Sequence, residues 1–243
     1  MSYPAFQQAF AEGRGGRWLP TRRIVNLASY AGERDGLNSD DPHVREETIQ
    51  KQKEHILLAH DLDCRRARVF TGRERREETL EWNKAFEHSV IGFRELGEFA
   101  EKYGVTLLVE NHPKSMAVSA QQTVNLVEAI GMKNVRILYD PSNLIVYAGE
   151  MDVERDFQLQ RNYIAHVHVK DQVMLEDGRY VDAVPGRGAI PWKKILSLLK
   201  GIDYNGFLTM EYQRGWKSTG WLPDPEIGLK EGLEFLNRCL MNT

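Results

Sequence analysis

The sequence predicts an α/β fold whose parallel strands close into a (β/α)8-type barrel, and three observations carry that expectation. Short apolar runs alternate with longer stretches of helical periodicity, the order of a parallel sheet with crossover helices. Four of the runs end in metal-capable side chains, at Glu110, Asp140, His168 and Glu211. The length of 243 residues suits one barrel, so residues 1–243 are expected to form a single domain. An open doubly wound sheet is the alternative. It would place ligands in one crevice and would not readily converge four strand ends on a point.

In chain order, residues 1–12 carry Tyr3, Phe6, Phe10 and Ala11 at roughly helical spacing, stopped by the glycines at 13, 15 and 16. Residues 23–28 read as a strand and residues 32–41 as a loop too polar for the core. Asp41-Pro42 is a helix start, opening a helix to Leu62 with Ile49, Ile56, Leu57 and Ala59 inward. His43, His55 and His60 are expected on its surface. A strand follows at 66–70, then a solvated charge run at 73–78. A long helix over 77–103 has Trp82, Phe86, Val90, Phe93, Leu96 and Ala100 as its buried stripe, and Gly104 ends it.

Residues 105–110 form the next strand, and Ser119 caps a helix to Ile130. Residues 134–139 repeat the pattern of strand, acid and proline. A short helix over 153–160 precedes a strand at 163–171. Asp177-Gly178 is a turn, and the glycine-rich segment 185–192 opens a helix to Lys200. The last strand spans 206–212. The closing helix, 225–240, has Ile227, Leu229, Leu233, Phe235, Leu236 and Leu240 as its apolar positions. That makes six strands, two short of a closed barrel. An incomplete barrel with open edges is therefore expected, and open edges favour association into a homo-oligomer.

Composition narrows the function. A net charge of −3 offers no general basic field for nucleic acid. No apolar run approaches a membrane span, and no basic segment followed by an apolar run marks a signal peptide. Cys64 and Cys239 have no metal-spaced neighbour, so two reduced thiols in the cytoplasm are expected.

The chemistry centres on residues 163–171. Alternation on a strand puts Ile164, His166, His168 and Lys170 on one face. Two imidazoles and an ammonium in a core strand need partners, because unpaired buried polar groups are costly. Glu110, Asp140 and Glu211, from three other strand ends, are the expected ones. Two glutamates, an aspartate and a histidine suit one divalent ion of the manganese, cobalt, magnesium or zinc kind. His166 lies one layer below and is expected to be hydrogen-bonded in the core. The Gly186-Arg187-Gly188 loop fits neither phosphate-binding fingerprint.

The motifs LLVENHP, ILYDPSN, HVHVKD, VPGRGAIPW and GFLTMEY, in this order and each read at a strand end, resemble the xylose-isomerase-like TIM barrels. These include sugar isomerases, ketose epimerases, hydroxypyruvate isomerases and inosose dehydratases, and the likeness runs from about Ile24 onward. The resemblance implies that Glu110, Asp140, His168 and Glu211 bind one divalent metal, often manganese. It implies that Glu110 and Glu211 flank a small sugar or polyol substrate as proton-transfer groups. It also implies that His112 and Lys170 contact substrate oxygens. Asn143 and Arg187 are further candidate substrate contacts. Asn143 stands where many epimerases of the family have histidine, and Asp63 where glycine is usual before the strand at 66–70.

A metal-held carbonyl and adjacent hydroxyl would acidify the neighbouring C–H, and carboxylates on opposite faces would remove and return the proton. Inversion gives epimerisation, return to the other carbon gives isomerisation, and loss of a β-hydroxyl gives dehydration. The expected activity is a metal-dependent isomerase or epimerase acting through an enediolate. An inosose-dehydratase-like lyase and a non-catalytic sugar-binding barrel are the alternatives. A three-zinc apurinic endonuclease is disfavoured, because only three of the seven histidines lie at the proposed site.

Overall fold

A computed structural model describes residues 23–28, 36–74, 79–113, 115–213 and 222–241. Strand and helix alternate as expected: β1 (Leu27–Ala28), α1 (Pro42–Asp61), β2 (Arg66–Arg68), α2 (Leu80–Lys102), β3 (Thr106–Glu110), α3 (Ala120–Ile130) and β4 (Val135–Tyr139). A helical turn at Pro141–Asn143 runs into a π-helical turn at Leu144–Ala148. Then come α4 (Val153–Gln160), β5 (Ile164–Val169), β6 (Asp171–Met174), β7 (Tyr180–Ala183), α5 (Trp192–Gly201), β8 (Leu208–Met210) and α6 (Pro225–Met241). The helix expected over residues 1–12 lies outside the described residues. The chain divides into two compact units, residues 1–109 with 126–136 and residues 110–125 with 137–243.

In the first unit β1, β2 and β3 pair in parallel, Ala67 lying opposite both Leu27 and Leu107. Parallel neighbours need a crossover, and α1 and α2 provide it. Asp41 caps α1 by accepting from His43 N at 2.8 Å, with Pro42 in the first turn. The inward face of α1 carries Thr48, Gln52 and His55 beside Ile49, Ile56 and Ala59. His55 is therefore buried, not on the surface as expected, because it shares the helical stripe of Thr48, Gln52 and Ala59. His43 and His60 are exposed. Burial, with the Arg68 guanidinium adding to it, lowers the His55 pKa to about 4.

The expected solvent loop is also partly core: Leu37, Asn38 and Ser39 are buried. Asn38 is tolerated there because its side chain pairs with both backbone groups of Arg73, accepting from the N–H at 3.0 Å and donating to the carbonyl. α2 begins at Leu80, behind a Thr79 cap that accepts from Trp82 N at 3.1 Å, three residues later than expected. Its core positions are Ala85, Val90, Phe93, Leu96 and Ala100, while Trp82 and Phe86 stack on each other half-buried. Arg94 donates to the Ile130 and Ala129 carbonyls, satisfying acceptors that the end of α3 leaves open.

In the second unit residues 137–139 of β4 pair in parallel with β5, and β5 with β8, with Tyr139 opposite Val167 and His168 opposite Thr209. β6 and β7 form an antiparallel hairpin around the Asp177-Gly178 turn. Sequence reading found the turn but not these strands, which are four residues each and mix polar with apolar positions. α6 packs differently from its apolar pattern. Ile227, Leu233 and Leu240 are exposed, and the buried residues are Gly228, Gly232, Leu236 and Cys239. A Cβ on Gly228 would lie 2.0 Å from the Tyr212 hydroxyl oxygen, so the helix approaches through its smallest residues. Among the described residues no helix is long and apolar enough to cross a membrane.

Candidate metal centre

Each candidate donor sits at the C-terminal end of a parallel strand. Glu110 is the last residue of β3, Asp140 follows β4, His168 is the penultimate residue of β5, and Glu211 follows β8. All four lie in the second unit. Strand alternation aims Thr209 and Glu211 to one side of β8, and His166 and His168 to one side of β5. The pairing of the two strands makes those sides the same: His166 Nε2 lies 2.8 Å from Thr209 Oγ1, and His168 Nδ1 lies 3.7 Å from Glu211 Oε2. One ligand atom from each of Glu110, Asp140, His168 and Glu211 falls within 4.8 Å of all the others. His168 Nδ1 is 3.1 Å from Glu110 Oε1 and 3.9 Å from Asp140 Oδ2.

Lys170 enters the same cluster, with Nζ 2.8 Å from Asp140 Oδ2 and 3.0 Å from Glu211 Oε2. Burial pushes the Asp140 carboxyl up to about 6, with Lys170 pulling it down and Glu110 and Glu211 pushing it up. Burial would likewise raise Glu211, but Lys170 and His168 outweigh it and hold this carboxyl below its ordinary value. For His168 and Lys170 burial works against the charged form, and the surrounding carboxylates reverse the sign and raise both. The cluster thus has more negative than positive charge to accommodate.

These residues fit a divalent cation. Three carboxylates and one imidazole are the oxygen-rich mixed donor set such ions take. Asp140 Oδ2 adds a specific sign: it is fully buried and faces charged groups, with Lys170 Nζ at 2.8 Å and His168 Nδ1 at 3.9 Å. Asp140 Oδ1, by contrast, accepts from Asn143 N at 3.0 Å. The carboxylate is thereby oriented with Oδ2 towards His168 and Lys170.

The other expected residues divide. Asn143 is buried beside Asp140, and its Nδ2 donates to the Asn111 carbonyl at 2.9 Å. His112, half-buried, has Nδ1 2.6 Å from the Pro113 carbonyl oxygen. Arg187 is not brought to the cluster; its largely exposed guanidinium pairs with Glu231 of α6 at 3.0 Å.

Sequence reading missed two residues that shape the site. Asn111, fully buried, accepts from Asp140 N at 3.0 Å and donates to Asp140 O at 2.6 Å. Gln213 donates to Glu211 Oε1 at 2.8 Å, so both oxygens of that carboxylate are held, the other by Lys170. Asn111 could have been suspected from its place next to a strand-end acid. Gln213 lies past the end of β8, where no strand period marks it.

Residues 20–239 match the family described as the xylose isomerase-like TIM barrel. D-psicose 3-epimerase of Ruminiclostridium cellulolyticum is 30% identical over 141 residues, 55% of this chain and 43% of that protein. Inosose dehydratase of Geobacillus thermodenitrificans is 27% identical over 139 residues, 51% of this chain and 46% of that protein. The matched stretches thus span less than half the length of these curated relatives. Among solved structures, D-psicose 3-epimerase of Clostridium cellulolyticum with D-tagatose superposes with a TM-score of 0.73 at 21% identity, covering 99% of this chain and 85% of that one. For 3-keto-D-glucoside 4-epimerase of E. coli the TM-score is 0.74 at 13% identity, covering 98% and 86%. At such identities the likeness is one of fold, and it agrees with the strand–helix alternation and with the strand ends that bring four donors together. This chain belongs to the xylose isomerase-like TIM barrel family.

Proposed function

We propose that this protein is a divalent-metal-dependent isomerase or epimerase of a small sugar or keto-polyol, acting through an enediolate. The observation that carries the reading is the convergence of Glu110, Asp140, His168 and Glu211 within 4.8 Å, with the Lys170 ammonium against two of the carboxylates. We infer that the four hold the ion, most simply manganese. When bound, such an ion polarises a substrate carbonyl and so acidifies the neighbouring C–H.

The chain's own groups supply the rest. Glu110 and Glu211 are the proton-transfer groups, one removing the acidified proton and the other returning one. Lys170 and His168, outweighing burial, hold the Glu211 carboxyl below its ordinary value. The Lys170 ammonium stabilises negative charge developing on a substrate oxygen. His112 and Asn143 are proposed substrate contacts, Asn143 through its carbonyl oxygen, since its Nδ2 donates to Asn111.

A second reading, a lyase of the inosose-dehydratase kind, is favoured by one observation: proteins named inosose dehydratase match this chain at 27% identity, close to the 30% of the epimerase. Both begin with the same proton removal and differ in whether a β-hydroxyl leaves. Incubating the manganese-loaded protein with ketoses and inososes in heavy water tests both. Deuterium at the carbon next to the carbonyl, with an epimer or isomer formed, supports the first reading. An enone absorbance supports the second. Tight sugar binding without any exchange would overturn both and leave a binding barrel.

A further inference from the structure

Three consecutive residues lead from β5 into the hairpin, and their side chains reach three separate sets of partners. Lys170 reaches Asp140 and Glu211. Asp171, fully buried, turns to the segment 185–192: its Oδ1 accepts from Gln172 N at 2.9 Å and Ile190 N at 3.0 Å, and its Oδ2 from Gly186 N at 2.8 Å and Gly188 N at 3.1 Å. Gln172 accepts from Ser142 Oγ at 3.0 Å and donates to Asp182 Oδ1 at 2.9 Å. At the far end of the segment, Trp192 Nε1 donates to the Lys170 carbonyl at 3.2 Å. The Lys170–Asp171 peptide is therefore fastened to both ends of one loop. Through Gln172 it is also tied to the turn that carries Asp140.

The segment is shaped for this approach. A Cβ on Gly188 would lie 2.2 Å from Asp171 Oδ1 and 2.5 Å from the Gln172 carbonyl oxygen, and Gly186 has φ +90°, where other residues are strained. A carboxylate has about four acceptor sites. Here all of them face backbone N–H groups, three of those on the loop. A crossover that only had to close the chain would not need such an anchor next to a lysine that reaches the metal-capable cluster.

We propose that Asp171 is a positioning residue: its carboxylate fastens Gly186, Gly188 and Ile190, and through Trp192 that segment holds Lys170 so that its ammonium stays between Asp140 and Glu211. The purpose of the ammonium rests on the proposed reaction; its positioning does not.

The test uses the full chain. Asp171→Asn replaces one oxygen by an NH2 that faces two backbone donors. Hydrogen exchange at Gly186, Gly188 and Ile190 should accelerate about tenfold or more. Acetylation of Lys170 by an N-hydroxysuccinimidyl ester, read by peptide mass against exposed Lys193, should rise by a similar factor. Trp192→Phe removes the bond to the Lys170 carbonyl, with some loss of buried ring, and leaves the Asp171 bonds to the loop in place, so Lys170 should acetylate faster while exchange at Gly186, Gly188 and Ile190 stays near the parent's. On any ketose or inosose that the parent converts, Asp171→Asn should lower kcat about 10–100-fold at unchanged manganese content. Unchanged loop exchange in Asp171→Asn overturns the proposal. So does faster loop exchange with parental Lys170 acetylation. If Asp171→Asn does not fold, parental acetylation in Trp192→Phe overturns it instead. A parent that converts nothing on the panel counts against the proposed reaction, while exchange and acetylation still decide the positioning.

Discussion

The side-chain amide of Asn111 pairs with both backbone groups of Asp140, accepting from its N–H at 3.0 Å and donating to its carbonyl at 2.6 Å. It acts as an added rung between residues 111 and 140, both in the second unit. Glu110 immediately precedes Asn111, so the rung sets the spacing of two candidate ligands at once. Removing it with Asn111→Ala leaves the buried Asp140 N–H without this acceptor and its carbonyl with the Leu144 N–H at 3.4 Å, at a cost of about 1–3 kcal/mol. Loss of stability in urea and a weaker manganese affinity by calorimetry, about 10–100-fold, are expected together. Parental affinity in the folded variant would show that the strand ends hold their positions without the rung.

The two histidines of β5 should separate cleanly. His168 Nδ1 faces three carboxylates, whereas His166 Nε2 meets Thr209 Oγ1 at 2.8 Å and is fully buried. His168→Ala should abolish stoichiometric manganese binding with modest loss of stability. His166→Ala should do the reverse, keeping metal while losing about 1–3 kcal/mol. Equal loss of metal in both variants would place His166 among the ligands.

Glu110→Gln and Glu211→Gln should each lower turnover about a hundredfold or more, the scale of a positioned acid or base. Metal content must be measured on each, since a lost ligand produces the same defect. A metal-replete Glu211→Gln that still exchanges substrate hydrogen with solvent but forms no product would assign proton removal to Glu110. Parental rates in both metal-replete variants would rule out the two-carboxylate mechanism.

His55 predicts an acid-sensitive step in stability. Burial, reinforced by Arg68, lowers its pKa from 6.5 to about 4 in the folded protein. Between those values the unfolded chain binds a proton that the folded chain refuses. The contribution is fully present above about pH 6.5 and is lost as the pH falls towards 4, on the order of 3 kcal/mol. Urea titrations across this window should show a steeper decline for the parent than for His55→Leu. Parallel curves would mean that His55 does not cause the decline.

Asp63 adopts a left-handed backbone, φ 51°, where α1 turns into β2. Its ion pair with Arg65 is largely exposed and contributes little. Asp63→Gly should therefore raise stability, by about 0.5–1 kcal/mol in denaturant titration. A lower midpoint would show that the aspartate side chain matters more than the backbone.

The sequence by itself determined the strand–helix alternation, the strand ends carrying Glu110, Asp140, His168 and Glu211, and the shared face of His166 and His168. All of these are local: a two-residue period and the residue at the end of an apolar run are visible without knowing what packs against them. Only the tertiary structure decided which polar residues would be buried and which apolar ones exposed. His55 went inward because it lies on the packed stripe of α1 beside Arg68, and Asn38 because the Arg73 backbone satisfies it. Ile227 and Leu233 stayed outward because Tyr212 approaches α6 at Gly228, and Met210 and Pro185 approach it at Gly232. Arg187 was drawn to Glu231, and Lys170 to Asp140 and Glu211. Residues distant in sequence are brought together by strand pairing and helix packing, and charge and hydrogen-bond satisfaction are settled between such neighbours.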